Sequence, residues 1–94
     1  MSTERRFFPS DDAIAAQLTG EAVLLHLGSR RYFRLNETAT EVWAALDRGI
    51  SRVDAITDRV CERFDVSRET AAAEVARLLG ELEERGLVRA AAAS

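Results

Sequence analysis

The sequence predicts an α+β domain in which a three-stranded antiparallel sheet precedes three helices. Three observations carry this. Apolar residues alternate with a period of two through roughly the first third of the chain, and the period changes to about 3.6 from Asn36 onward. Ninety-four residues, 47% apolar and 31% charged, suit one small ordered domain with a single core.

The elements follow in order. "MSTERRFFPS" mixes charge, two aromatics and a proline, and reads as a flexible arm over residues 1–10 whose Phe7 and Phe8 are candidates to pack on the body. In "AIAAQL" Ile14, Ala16 and Leu18 fall on one side, and "TGE" turns the chain. "EAVLLHL" then sets Val23, Leu25 and Leu27 on one face, expected to be the core face, with Leu24 and His26 on the other. "GSRR" is a turn built on Gly28, and the third strand, "YFRL", places Phe33 and Leu35 opposite Tyr32 and Arg34.

Asn36 is a good N-cap, and Ala39, Val42, Trp43 and Leu46 form the buried stripe of a first helix that Gly49 ends. "SRVD" has the spacing of a capping box and opens a second helix whose inner face is Val53, Ile56, Val60 and Phe64. Ser67 caps the longest helix, residues 68 to about 85 or ~27 Å, with Val75, Leu78, Leu79 and Leu82 as its stripe. Gly86 stops it, Leu87 and Val88 fold back over the last turn, and residues 90–94 read as a disordered tail. The domain proper is therefore expected over residues 11–89, with the parts of a winged helix-turn-helix whose sheet comes first.

Function classes narrow by elimination. No apolar run reaches the roughly 18–20 residues of a membrane span, and the N-terminus lacks the apolar stretch of a secretory signal, so a cytoplasmic location is expected. Cys61 is the only cysteine and His26 the only histidine, which leaves no internal disulfide and no zinc set, and since the serine turn "GSR" lacks the glycines of a nucleophile elbow, no Ser/His/Asp triad is expected. Cys61 beside Val60 reads as a buried thiol, His26 as a surface or half-buried strand residue, and Trp43 as core. No glycine-rich loop precedes a helix to cradle phosphates. Neither enzymatic activity nor a cofactor is therefore expected.

A winged-helix DNA-binding regulator is the alternative that the parts suggest, and charge opposes it. Residues 1–36 carry five Arg against four Asp and Glu, whereas residues 37–94 carry eight Arg against twelve. Residues 68–85, where a recognition helix would lie, hold three Arg and five Glu. Peptide binding remains. The third strand lies at a sheet edge, whose N–H and C=O groups can accept an extended peptide as an added strand, while Arg30, Arg31 and Arg34 guard that edge against aggregation.

"LLHLGSRRYFRLNETATEVWAAL", with the later "DRGIS" and "LLGELEERGLV", resembles the PqqD-like family, the precursor-peptide recognition elements of ribosomally made, modified peptides. The resemblance spans about residues 11–89. It implies a non-catalytic peptide chaperone of discrete form that holds a precursor leader against the third strand, in a groove walled by the third helix. Carried over by position, the strand wall is Tyr32, Phe33, Arg34 and Leu35. The helical wall lies on residues 71–82, where Val75, Leu78 and Leu79 must divide between core and groove and the small Ala71, Ala72 and Ala76 leave space for leader side chains. Arg34 and Arg77 are placed to meet acidic leader residues, at only ~0–1 kcal/mol for an exposed pair. The implied partners are the leader and a modifying enzyme, a lasso-type protease or cyclase or a radical-SAM enzyme; charge alone offers the acidic outer faces of the first two helices as a docking surface, although such faces most often only solvate a domain. The sheet edge also permits a homodimer when no leader is present.

Overall fold

The computed structural model describes residues 5–18 and 21–92. The element order is β1 (Arg5–Pro9), β2 (Ala13–Leu18), β3 (Glu21–His26), β4 (Arg31–Leu35), α1 (Glu37–Asp47), α2 (Val53–Arg63), α3 (Arg68–Glu84) and β5 (Val88–Ala92). The three expected strands are β2, β3 and β4, paired in that order as an antiparallel sheet. The turn expected at Thr19 and Gly20 lies outside the described residues.

Two elements were not legible. The arm is a strand from Arg5 and the tail a strand to Ala92, and the two pair antiparallel with Phe7 opposite Ala90. Phe7 is the reason. Its ring is buried in the core, and its N–H donates to the Ser51 carbonyl at 2.9 Å, so one aromatic anchors β1 against the segment before α2. That bond also explains the failure of the "SRVD" capping box. Ser51 is tied into the link with β1, Arg52 takes the N-cap position with no side-chain cap, and Asp54 instead pairs with Arg52 at 2.9 Å. The other two caps form as expected: Asn36 Oδ1 accepts from Ala39 N–H at 2.8 Å, and Ser67 Oγ accepts from Thr70 N–H at 3.1 Å.

The core face of β3 is the reverse of the expectation. Leu24 is fully buried in the core cluster, whereas Leu27 is 47% exposed in the turn. Register decides it. Leu24 stands opposite Phe33, so the face bearing Phe33 and Leu35, which the helices cover, must also bear Leu24. Val23 is nevertheless buried on the outer face, where it stands between Ala16 and Arg34 on its two neighbouring strands. The helices close over the inner face through Val42, Trp43, Leu46, Ile56, Val60, Val75, Leu79 and Leu82, with Leu87 and Val88 folded back as expected and Cys61 half-buried at the margin.

Gly28 is not the residue that bends the β3–β4 turn. The left-handed conformation falls on Arg30, at φ 61°, and Arg30 N–H donates to the His26 carbonyl at 2.8 Å. Gly28 is needed for space, because a Cβ there would lie 3.1 Å from His26 Cε1. On the ring's other side a Cβ on Gly86 would lie 3.2 Å from Nε2, so the imidazole sits between the hairpin and the end of α3. Ser29 N–H donates to Nδ1 at 3.1 Å and fixes the ring. Gly86 also has φ 75°, so Gly86→Ala combines left-handed strain with that close approach. A loss of about 2 kcal/mol is expected in urea denaturation. Gly49→Ala, at φ 90° but with nothing within 4 Å, should lose only about 1 kcal/mol.

Candidate functional site: an open strand edge beside a helix

β4 pairs with β3 on one side and with no strand among the described residues on the other. Which of its residues address the open side follows from a neighbouring bond. Leu27 N–H donates to the Asp12 carbonyl at 2.8 Å, toward β2, so Val23 and Leu25 also turn their backbone groups to β2, and Ala22, Leu24 and His26 turn theirs to β4. By register Arg31, Phe33 and Leu35 answer them, and Tyr32 and Arg34 direct N–H and C=O to the open edge.

Side chains alternate the other way. Phe33 and Leu35 lean under the helices, while Tyr32 is 63% exposed on the outer face. Between β4 and the C-terminal half of α3 lies a cavity of about 470 Å³ whose walls include Phe33, Arg34 and Leu35 on the strand and Arg77, Leu78, Glu81, Leu82 and Arg85 on the helix. A second chamber of about 520 Å³ continues toward the hairpin between Ser29, Arg31 and Phe33 on one side and Glu84 and Arg85 on the other. Phe33 and Arg85 border both chambers, which therefore adjoin at that pair and together flank β4. Five residues of strand correspond to about 17 Å.

The strand residues Phe33, Arg34 and Leu35 thus meet Leu78 in the groove, with Tyr32 contributing its backbone at the edge. The other residues named for the helical wall lie elsewhere. Ala71, Val75 and Leu79 are buried in the core, and Ala72 and Ala76 are exposed on α3 outside the lining. Leu82, at the end of the expected wall, and Arg85, one turn beyond it, also line the groove. Arg85 stands with its guanidinium carbon 4.6 Å from the Phe33 ring centroid, a cation–π contact. In the sequence it served only to end a helix. Its i, i+4 spacing from Glu81 and its i, i+3 spacing from Leu82 were the available signal.

Arg77 is already engaged. It contacts Glu74 at 2.6 Å and Glu81 at 3.5 Å, and its hydrogen bond holds the Glu74 carboxyl below the usual carboxylate range. The acidic outer face expected of α1 is also reduced, since Glu41 is largely withdrawn from solvent and gripped by Arg59 at 3.2 Å and Arg63 at 3.4 Å on α2. Among the described residues no group of His, Cys, Asp and Glu could hold a metal ion, and no helix is long and apolar enough to cross a membrane.

A small α+β domain with an open sheet edge and a helix-walled groove beside it defines a peptide-binding class of architecture. Residues 21–88 match the family of coenzyme PQQ synthesis protein D (PqqD), and the chain belongs to that family. Two solved structures share its fold closely. One is TbiB1 in complex with the TbiA(beta) leader peptide, 30% identical, covering 87% of this chain and 94% of that one with a TM-score of 0.80. The other is a lasso peptide synthetase B1 complexed with the leader peptide, 28% identical, covering 88% and 96% with a TM-score of 0.79. No curated protein matches the chain.

Proposed function

We propose that this chain captures the leader of a ribosomally made precursor peptide as an added strand along β4 and presents it to a modifying enzyme, without itself catalysing a reaction. The observation that carries this is the open edge of β4 running beside the α3 wall, where backbone groups at Tyr32 supply register and the groove takes alternate side chains. Two neighbours of similar fold are complexes with leader peptides, and one is a lasso peptide synthetase B1, which favours a lasso-type pathway over a radical-SAM one. Holding the leader raises the effective concentration of the attached core segment at the enzyme. The empty edge is also able to pair with a second copy of the chain, in which case leader addition converts dimer to 1:1 complex in sedimentation.

The direct test is fluorescence anisotropy with a labelled synthetic leader of the cognate precursor peptide. Saturable 1:1 binding in the sub-micromolar to micromolar range is expected. A random DNA duplex at low salt, where even non-specific DNA binding appears, should leave the signal unchanged. DNA binding with no leader binding would replace this reading by that of a transcriptional regulator.

A further inference from the structure

We infer that Arg85 is a specificity-determining residue of the groove, selecting a carboxylate side chain at the ligand position that lies opposite Phe33. The inference rests on the reading that an extended leader adds to β4, and it deepens that reading by assigning a ligand chemistry to one position.

A strand laid against β4 must place one of its helix-facing side chains next to Phe33, since cross-strand neighbours on one face stand about 5 Å apart. Arg85 already occupies that lane. Its guanidinium lies over the Phe33 ring at the junction of the two chambers, so an incoming side chain cannot pass without meeting it. The aromatic face fixes the guanidinium but satisfies none of its five donors. No side-chain hydrogen bond links Arg85 to another described residue, and its ion-pair contact is Glu81 at 3.8 Å, beyond hydrogen-bonding distance.

Local charge points the same way. Glu81 is shared between Arg77 and Arg85, so one carboxylate serves two guanidinia. Arg77 has Glu74 as a closer partner, which leaves Arg85, 44% exposed, with only the long Glu81 contact and donors that water and not protein occupies. In the second chamber Arg31 joins Arg85 against Glu84 alone. A ligand Asp or Glu arriving over Phe33 would complete a charge-assisted, two-pronged contact with a fork held in place beforehand.

The experiment uses the full chain and the TbiA(beta) leader, the ligand of a neighbouring structure, as a labelled synthetic peptide. Aspartate is scanned along its length, with asparagine at each position as the isosteric control. Wild-type protein is expected to favour Asp over Asn about five- to tenfold at one position. Arg85→Gln should abolish that preference, and Arg85→Glu should favour Lys there. Binding without any Asp preference, or a preference that persists in Arg85→Gln, overturns the role of Arg85 and leaves strand capture standing. Absence of binding by every peptide, together with failure of the cognate leader to bind, overturns both.

Discussion

Tyr32→Pro is expected to raise the dissociation constant for the leader about ten- to a hundredfold while the protein stays folded. Tyr32 directs its N–H to the open edge and its ring to solvent, so proline there removes one donor to the ligand and no bond of the sheet. Losing that donor and clashing with the added strand together amount to about 1.4–2.8 kcal/mol, which is the stated range in affinity. Phe33→Pro supplies the contrast. Its N–H faces Leu24 inside the ladder and its ring packs on the core, so that change should lower the melting temperature as well as binding. Circular dichroism separates the two. Unaltered leader affinity in a folded Tyr32→Pro protein would mean that the leader is not an added strand.

The second large effect concerns folding. Phe7→Ala should cost about 3 kcal/mol, because a buried ring leaves a cavity that its neighbours fill only in part. A domain of this size is stable by about 5–14 kcal/mol, so the loss is a large share of the total and should lower the melting temperature by roughly 12–24 °C. Phe8 is the control, half-buried at the surface with Arg89 lying 5.2 Å from its ring centroid. Phe8→Ala should cost about 1 kcal/mol. Equal losses in calorimetry would show that β1 is held by its backbone ladder with β5 rather than by the Phe7 anchor.

The contrast between these two regions shows what the sequence makes legible. β2, β3, β4 and the three helices are visible because local chemistry specifies them: alternation in the strands, Asn36 and Ser67 as caps, and a 3.6-residue stripe in α1 and α3. β1 and β5 have no such local signature. They become strands only through pairing across 79 to 87 residues and through one ring reaching the core, and "RRFFP" and "VRAAA" carry neither clean alternation nor a turn between them.

Face assignment in β3 failed for a related reason. Val23, Leu24, Leu25 and Leu27 are all apolar, so period-two reasoning offers two faces of similar hydrophobicity, and only the register with Phe33 chooses between them. In the groove, Phe33, Leu35 and Leu78 were within reach because a strand edge next to a helix stripe is a sequence pattern. Arg85 was not, since its position depends on how the hairpin aligns with the last turn of α3.

His26 has a consequence for how such a groove behaves before any ligand arrives. Its imidazole is a spacer of fixed thickness between the hairpin that leads into β4 and the glycine that follows α3. The strand and helix walls are thereby spaced near the hairpin end by the protein's own side chain rather than by a ligand. A captured segment then gives up its own freedom on association but needs little rearrangement of its host.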